Sequence, residues 1–190
     1  YLCFNGKTLY GYVYCNNCSA SVYLVGGSDS DTDGSTGTIR PQGVGIECAS
    51  RTCALGVNRC AYVSFQYMNI YAPKNYVNSS YPLLHCVGAQ GASNIYVRDV
   101  KIVNADVGFR SASMSQIHAH SSEGTATDTA WYSTSGAKIS LAGNKQAGGK
   151  KNNTSKDEAG QVWTDSTTSY DGTAPTDTST PTVPEKVTKT

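Results

Sequence analysis

The sequence has little of what a helical, membrane-spanning or nucleic-acid-binding protein needs. Charged residues make up 15% of the 190 residues and the formal net charge is +1, so charge gives no reason to expect nucleic acid as a partner. No apolar run approaches the ~20 residues of a membrane-spanning helix, so membrane insertion is not expected. Helix formers such as Leu and Glu are scarce, whereas β-branched residues and 13 tyrosines are present. The composition therefore predicts an all-β protein.

Motifs of the common catalytic and metal sites are missing as well. The sequence contains no nucleophile elbow, phosphate loop or metalloprotease motif. It contains seven cysteines, an odd number, and Cys15-Asn16-Asn17-Cys18 has no second CxxC to complete a metal site. Three interpretations stand: disulfides of a secreted or particle-borne protein, buried free thiols, and metal or redox chemistry at the CxxC.

What the sequence does contain is a pattern that occurs twice between Ala61 and Ala105. Alternation places the apolar residues on one face of a strand, and an extra residue in the middle of each copy predicts a bulge or a corner. We therefore expect stacked coils in which the two copies pair in parallel and in register. The copies recur at one constant offset and consist of Val63, Phe65, Met68 and Ile70, then Ile95, Val97, Val100 and Ile102.

Shorter alternating runs predict a further, minor strand in each coil. They are Val44-x-Ile46-x-Cys48, Leu84-x-Cys86 and Val107-x-Phe109. Composition divides the chain into a cysteine-rich cap or first coils at 1–38, a parallel β-helix at 39–143, and a polar linker with an extended C-terminal arm at 144–190. Residues 164–190 contain few apolar side chains, so we expect this part to be poorly structured and to make few contacts with its own coils.

The run Ser93–Arg110 resembles a rung of the single-stranded right-handed parallel β-helix, the pectin-lyase-like fold. Ala130–Gly143 resembles the end of the β-helix region in phage tail fibres and tailspikes, where a polar linker and a G-Q-[VI]-W-like stretch often follow, as Gly160–Trp163 do here. The resemblance covers roughly residues 39–165. It implies a parallel homotrimer, in the virion or outside the cell, with other virion or surface-assembly proteins and host surface polysaccharide as partners. The cysteine-rich first quarter departs from the usual pattern of these proteins.

Tyrosines are the candidate binding residues. Six occupy outward or loop positions around the repeat, where exposed rings stack on sugars or fill the seam between the subunits of a trimer. Both interpretations stand. The six are Tyr62, Tyr67, Tyr71, Tyr76, Tyr81 and Tyr96.

Ionisable residues suggest weaker sites. His118 and His120 share the outward face of a predicted strand, which gives half a site for a transition metal or two exposed imidazoles. An acidic group, Asp29, Asp31 and Asp33, matches the first half of a calcium loop but lacks its last ligand, so a solvated loop is the alternative. A structural metal ion is therefore the one cofactor to consider.

The carboxylates Asp99 and Asp106 are candidates for the acid pair of a glycosidase, or are turn residues that bind backbone groups. The first functional hypothesis is a virion fibre or spike module, structural and glycan-binding. The alternatives are a polysaccharide lyase or hydrolase on the same fold, and a secreted or cell-surface β-helix adhesin. The chain begins with Tyr1-Leu2-Cys3, which favours a processed chain or a piece of a longer one.

Overall fold

A computed structural model describes residues 1–27, 37–40, 46–48, 51–71, 84–147, 150–154 and 159–171. All regular elements within these ranges are β-strands, as the composition predicts. In chain order the strands are β1 (Leu2–Cys3), β2 (Thr8–Tyr10), β3 (Val13–Asn16), β4 (Ser21–Val25), β5 (Gly37–Arg40), β6 (Ile46–Cys48), β7 (Arg51–Asn58), β8 (Tyr62–Tyr71), β9 (Leu84–Gln90), β10 (Asn94–Ser111), β11 (Gln116–His120), β12 (Glu123–Ser133), β13 (Lys138–Ala142), β14 (Lys145–Ala147), β15 (Lys150–Thr154), β16 (Gln161–Thr164) and β17 (Ser169–Asp171).

The strands pair in three ladders of parallel neighbours. Ladder 1 runs β1, β4, β8, β10, β11, β13 and β16. Ladder 2 runs β2, β5, β8, β10, β12, β14 and β17. Ladder 3 runs β3, β7, β9, β10, β12 and β15. One passage of the chain through the three ladders is called a coil below. This order of pairing is consistent with a parallel β-helix.

The pairing of the two sequence repeats is confirmed. Ile95 lies opposite Val63, Val97 opposite Phe65, Val100 opposite Met68 and Ile102 opposite Ile70, in parallel and in register. These side chains are at most 1% exposed. Fully burying an aliphatic or aromatic side chain of this size stabilises the folded state by about 1.5–3 kcal/mol, so the four stacked pairs contribute much of the stability of these two coils.

The common step between coils is shorter than the offset of the two sequence repeats. Asn94 pairs with Gln116 and Gln116 with Lys138, and the same step of 22 residues separates Ser93 from Ser115, whose hydroxyl accepts a hydrogen bond from the Ser93 amide. The longer step between β8 and β10 arises because Val103 and Val107 are four residues apart, whereas their partners Tyr71 and His85 are fourteen residues apart. The ten extra residues are therefore inserted between two ladders and leave the pairing of each ladder unchanged.

Buried side chains from all three ladders form one core. It includes Val63 of ladder 1, Ile70 of ladder 2 and Val87 of ladder 3. Trp131 and Phe109 are the largest residues of ladder 3 in this core, and they lie opposite each other in register. The three ladders therefore present their apolar faces to a shared interior.

The minor-strand predictions are confirmed for two of the three runs. Val107 pairs with His85 and Phe109 with Val87, so both runs lie in ladder 3. The alternation predicted for the first run is shifted by one residue, because His85 and Val87, and not Leu84 and Cys86, lie opposite Val107 and Phe109. The prediction for Ile46–Cys48 is wrong, because β6 pairs antiparallel with β7, with Cys48 opposite Arg51. Two residues separate these strands, and so short a connection permits an antiparallel hairpin but not a parallel crossover. Val44 lies outside the described residues.

The ladders extend beyond residues 39–143. At the start of the chain β1, β2 and β3 pair in parallel with β4, β5 and β7. At the other end β14, β15, β16 and β17 continue all three ladders to Asp171. The expectation that residues 164–190 make few contacts with their own coils is therefore wrong for 164–171: β17 pairs with β14, and the Tyr170 ring packs against the core, 6.1 Å from the Trp131 ring. Residues 172–190 lie outside the described part of the chain.

Candidate binding face

Strand alternation gives ladder 1 an inner and an outer face. In β11, Ile117 and Ala119 are fully buried, while His118 is half-buried and His120 is exposed. The same alternation in β10 buries Ile95 and Val97 and turns Tyr96 and Arg98 outward. The predicted outward direction of the two histidines is confirmed.

Aromatic rings line the outer face of ladder 1. The rings of Tyr1 and Tyr23 stack with centroids 6.3 Å apart, and those of Tyr23 and Tyr62 lie 6.0 Å apart. Further along, the rings of Tyr96 and His120 are 5.6 Å apart. Neighbouring strands of a sheet are about 4.8 Å apart, and the diagonal pairs Tyr23–Tyr62 and Tyr96–His120 are within reach of aromatic side chains. The five residues Tyr1, Tyr23, Tyr62, Tyr96 and His120 are called the aromatic row.

Tyr62, on β8, lies between Tyr23 on β4 and Tyr96 on β10 along ladder 1. Burial raises the pKa of Tyr62, a hydrogen bond with Ser64 lowers it, and repulsion from Tyr23 and Tyr96 raises it further. At neutral pH its hydroxyl stays protonated and can donate a hydrogen bond.

Cations and amides border the row. The Arg98 guanidinium lies 5.8 Å from the centroid of the Tyr67 ring and its Nε lies 3.2 Å from Asp99 Oδ2. The Gln66 amide donates a hydrogen bond of 2.8 Å to the Ser64 hydroxyl. Near the other end of the ladder, Lys138 Nζ lies 5.2 Å from the centroid of Trp163, a side chain that is 54% exposed. The face thus combines flat apolar rings with hydrogen-bonding groups.

Sequence reasoning found part of this face. Tyr62 and Tyr96 lie in the aromatic row, and Tyr67 lies at the corner beside it. Tyr71 is the last residue of β8, but its side chain is outside the described part of the structure. Tyr76 and Tyr81 lie entirely outside the described residues.

Tyr1 and Tyr23 were missed, although they are 69% and 39% exposed. The signal for Tyr23 is its place between the apolar residues Val22 and Leu24 of β4.

The histidines do not by themselves form a metal centre. Among the residues that the structure describes, no group of three or more His, Cys, Asp or Glu side chains is placed to hold a metal ion. His118 and His120 would need ligands from outside this part of the chain. Asp29, Asp31 and Asp33 lie outside the described residues, so the calcium-loop prediction stays a prediction.

Asp99 occupies a corner of the chain. Its φ is +50°, in the left-handed region, and the residue stands between the ladder 1 and ladder 2 parts of β10. This position agrees with turn chemistry. Asp106 also lies in β10, but its side chain is outside the described part, so the predicted carboxylate pair stays a prediction.

Six of the seven cysteines are described, and each of the six is a thiol rather than part of a disulfide. Burial raises the pKa of Cys86 well above its ordinary value, and burial together with repulsion from Cys60 and Cys18 raises that of Cys15 to about 11. Cys53 and Cys60 are buried as well, while Cys3 and Cys18 are half-buried. For these six the thiol interpretation describes the structure. The side chain of Cys48 lies outside the described part.

Across the described ranges, no helix is long and apolar enough to cross a membrane. Comparisons with protein-family models, with curated proteins and with solved structures find no match to this chain. Function is therefore inferred from the outer face of ladder 1.

Proposed function

We propose that the chain is a module of a virion fibre or spike, folded as a single-stranded right-handed parallel β-helix, and that it binds a glycan of the host surface. The fold part of the proposal is supported by parallel pairing, by three ladders, and by the step of 22 residues that recurs from β10 to β11 and from β11 to β13. The resemblance of Ser93–Arg110 to a β-helix rung favours the right-handed, single-stranded form.

The aromatic row is the observation that carries the binding proposal. Tyrosine rings present flat apolar surface with a polar hydroxyl, which suits them to stack on sugar rings while hydrogen-bonding sugar hydroxyls. The row runs across the coils rather than along one strand, so it presents rings at the spacing of successive coils. An extended oligosaccharide lying across the strands would contact several rings at once.

A binding comparison tests this proposal. The full chain and its Tyr23→Ala and Tyr62→Ala variants are assayed against a panel of bacterial surface polysaccharides, with Tyr12→Ala as matched control. Tyr12 is 42% exposed, much like Tyr23 at 39%, but it precedes β3 in ladder 3. We expect each row variant to weaken binding about tenfold, or ~1.4 kcal/mol. Equal effects of all three substitutions, or no effect of any, would contradict the proposal.

The depolymerase alternative is decided in the same assay. Shortened oligosaccharides released from a bound polysaccharide would make the protein an enzyme. Asp99→Asn combined with Asp106→Asn is then the informative variant: turn roles leave both binding and product release unchanged, whereas loss of product release alone would place the two carboxylates in catalysis.

The reduced state of the described cysteines favours a virion module over a secreted adhesin. Proteins folded in an oxidising secretory compartment commonly form disulfides, whereas thiols stay reduced in a cytoplasm. A fibre chain that folds in the cytoplasm of its host and leaves it in the virion agrees with six cysteines that form no disulfide.

Identical chains are the proposed partners in a parallel homotrimer. Packing of three flanks would cover tyrosines that lie off the sugar-binding side, and three copies of His118 and His120 could meet at the axis. Sedimentation equilibrium should give a mass three times that of the 20.1 kDa chain. A stable monomer with an intact β-sheet spectrum would refute the trimer and leave the glycan-binding proposal standing.

A further inference from the structure

Cys18 and Cys60 occupy equivalent places one coil apart. Cys15 lies opposite Val57 and Asn16 opposite Asn58, a step of 42 residues that also separates Cys18 from Cys60. The stacking continues through the turn, because the Asn17 amide donates to Asn58 O at 2.9 Å and the Ala61 amide donates to Cys18 O at 2.9 Å. The two cysteines therefore stand one above the other.

Their side chains point the same way. The Cys18 thiol donates to the carbonyl of Asn16 at 3.7 Å, and the Cys60 thiol donates to the carbonyl of Asn58 at 3.3 Å. Both thiols thus turn back on the residue two places earlier, in matching local conformations. The side chains of Asn16 and Asn58 are themselves joined by a hydrogen bond of 2.9 Å, which fixes the two turns against each other.

The separation of stacked strands suits a disulfide. Neighbouring strands lie about 4.8 Å apart. Disulfides join cysteines whose Cα atoms are roughly 4.4–6.8 Å apart, and the direct backbone hydrogen bonds between these two turns bring them to a comparable separation. We propose that Cys18 and Cys60 form a reversible disulfide that links two successive coils once the chain meets an oxidising environment.

The other described cysteines lack a cysteine at the matching place in the next coil. Cys15 faces Val57, and Cys53 faces the buried ring of His85, with Sγ 3.9 Å from Nδ1. The Cys86 thiol donates to the Ile70 carbonyl at 3.5 Å. Burial raises the pKa of both Cys15 and Cys60, so position and not acidity distinguishes the two: Cys60 is at the matching place one coil from Cys18, whereas Cys15 precedes Cys18 in the same coil and faces Val57.

The chemistry is thiol–disulfide exchange with a small disulfide such as oxidised glutathione. The thiolate of the half-buried Cys18 attacks one glutathione sulfur, forms a mixed disulfide and releases one glutathione thiolate. The thiolate of the buried Cys60 then attacks Cys18 Sγ, forms the intramolecular bond and releases the second glutathione thiolate. Each cysteine loses its proton to solvent, and the two electrons from the protein reduce one oxidised glutathione to two thiols.

Mass spectrometry of the full chain tests the proposal. Reduced protein is exposed to excess oxidised glutathione, remaining thiols are alkylated, and the chain is digested with trypsin. Cys60 follows Arg59, so its peptide starts at the cysteine and is free of Cys53, which precedes that cleavage site. We expect this peptide to be joined to the peptide that carries Cys18, with two fewer alkylated thiols in the intact chain.

Variants identify the pair. Cys15→Ser should still form the link. Cys60→Ser and Cys60→Ala should instead retain glutathione on Cys18, and this mixed disulfide is a product that can be detected directly. Cys18→Ser should form neither the Cys18–Cys60 disulfide nor the mixed disulfide. Far-ultraviolet circular dichroism checks that each variant is folded. A Cys15–Cys18 link in the wild type, a wild-type chain that forms no link, or a Cys60-linked peptide in Cys18→Ser would overturn the proposal.

Discussion

At the scale of single residues, the corners between ladders 1 and 2 depend on one backbone conformation. The corner residue of four successive coils has positive φ, from +48° to +63°: Tyr67, Asp99, Ser121 and Gly143. Left-handed backbone costs an ordinary residue roughly 1–2 kcal/mol, and glycine nothing comparable. The conformation persists at three non-glycine residues because the ladders on either side fix the direction of the chain.

Gly124 has no space for a side chain, because the preceding coil lies close to its backbone. A Cβ added there would lie 2.6 Å from both the Cβ and the carbonyl oxygen of Ile102 on the preceding coil. We predict that Gly124→Ala lowers the free energy of unfolding by about 1–3 kcal/mol, because the two coils must move apart. Urea denaturation measures the change.

Gly11 provides the control for this substitution. A Cβ added at Gly11 meets no atom within 4 Å. Gly11→Ala should change the free energy of unfolding by less than about 0.5 kcal/mol. Equal destabilisation by the two alanines would mean that the coils are not stacked as described.

At the scale of elements, the turn between β16 and β17 is organised by Asp165. Its carboxylate accepts hydrogen bonds from the hydroxyls of Thr167 and Thr168, at 2.6 and 2.8 Å, and from the Gly143 amide of the preceding coil at 3.3 Å. The two hydroxyl bonds are the main reason that the pKa of Asp165 is lowered to about 2. Hydrogen bonds thus join the polar turn, residues 165–168, to the previous coil.

Acid should loosen this turn. Because the folded carboxyl has a lowered pKa, its contribution is complete above about pH 4, the ordinary aspartate range, and is lost as the pH falls through about 2. We predict that hydrogen-exchange protection of the Gly143 and Thr168 amides decreases over this interval. Asp165→Asn should remove the pH dependence. An unchanged acid transition in that variant would assign it to another group.

At the scale of the whole molecule, stability should vary from coil to coil. Strands β8 and β10 are paired on both sides, whereas β1, β2 and β3 each pair with one strand in the described structure. Each coil of a stacked array contacts its neighbours alone, so the ends open first. We predict slowest amide exchange in β8 and β10 and fastest exchange in the strands at the two ends of the described structure, β1–β3 and β15–β17. Uniform protection along the chain would show a single cooperative unit instead.

The sequence by itself determined which side chains face inward. Alternation at Val63, Phe65, Ile95 and Val97 was enough to predict parallel pairing in register, because a shift of one residue would expose every apolar side chain. The corner at Asp99 was likewise visible as an extra residue between two alternating runs. These features are local, and their physical cause is the burial of each strand's apolar face.

The tertiary structure alone decided what the coils bring together. Insertions hid the common step between coils, because a loop of any length can join two ladders while the pairing stays the same. For the same reason nothing in the sequence placed Tyr23 against Tyr62 or Cys18 above Cys60. These contacts depend on how far the chain travels before it returns to the same ladder. The number of residues between successive strands of one ladder has no periodic signal in the sequence. Strand pairing and core packing decide which residues of successive coils lie side by side.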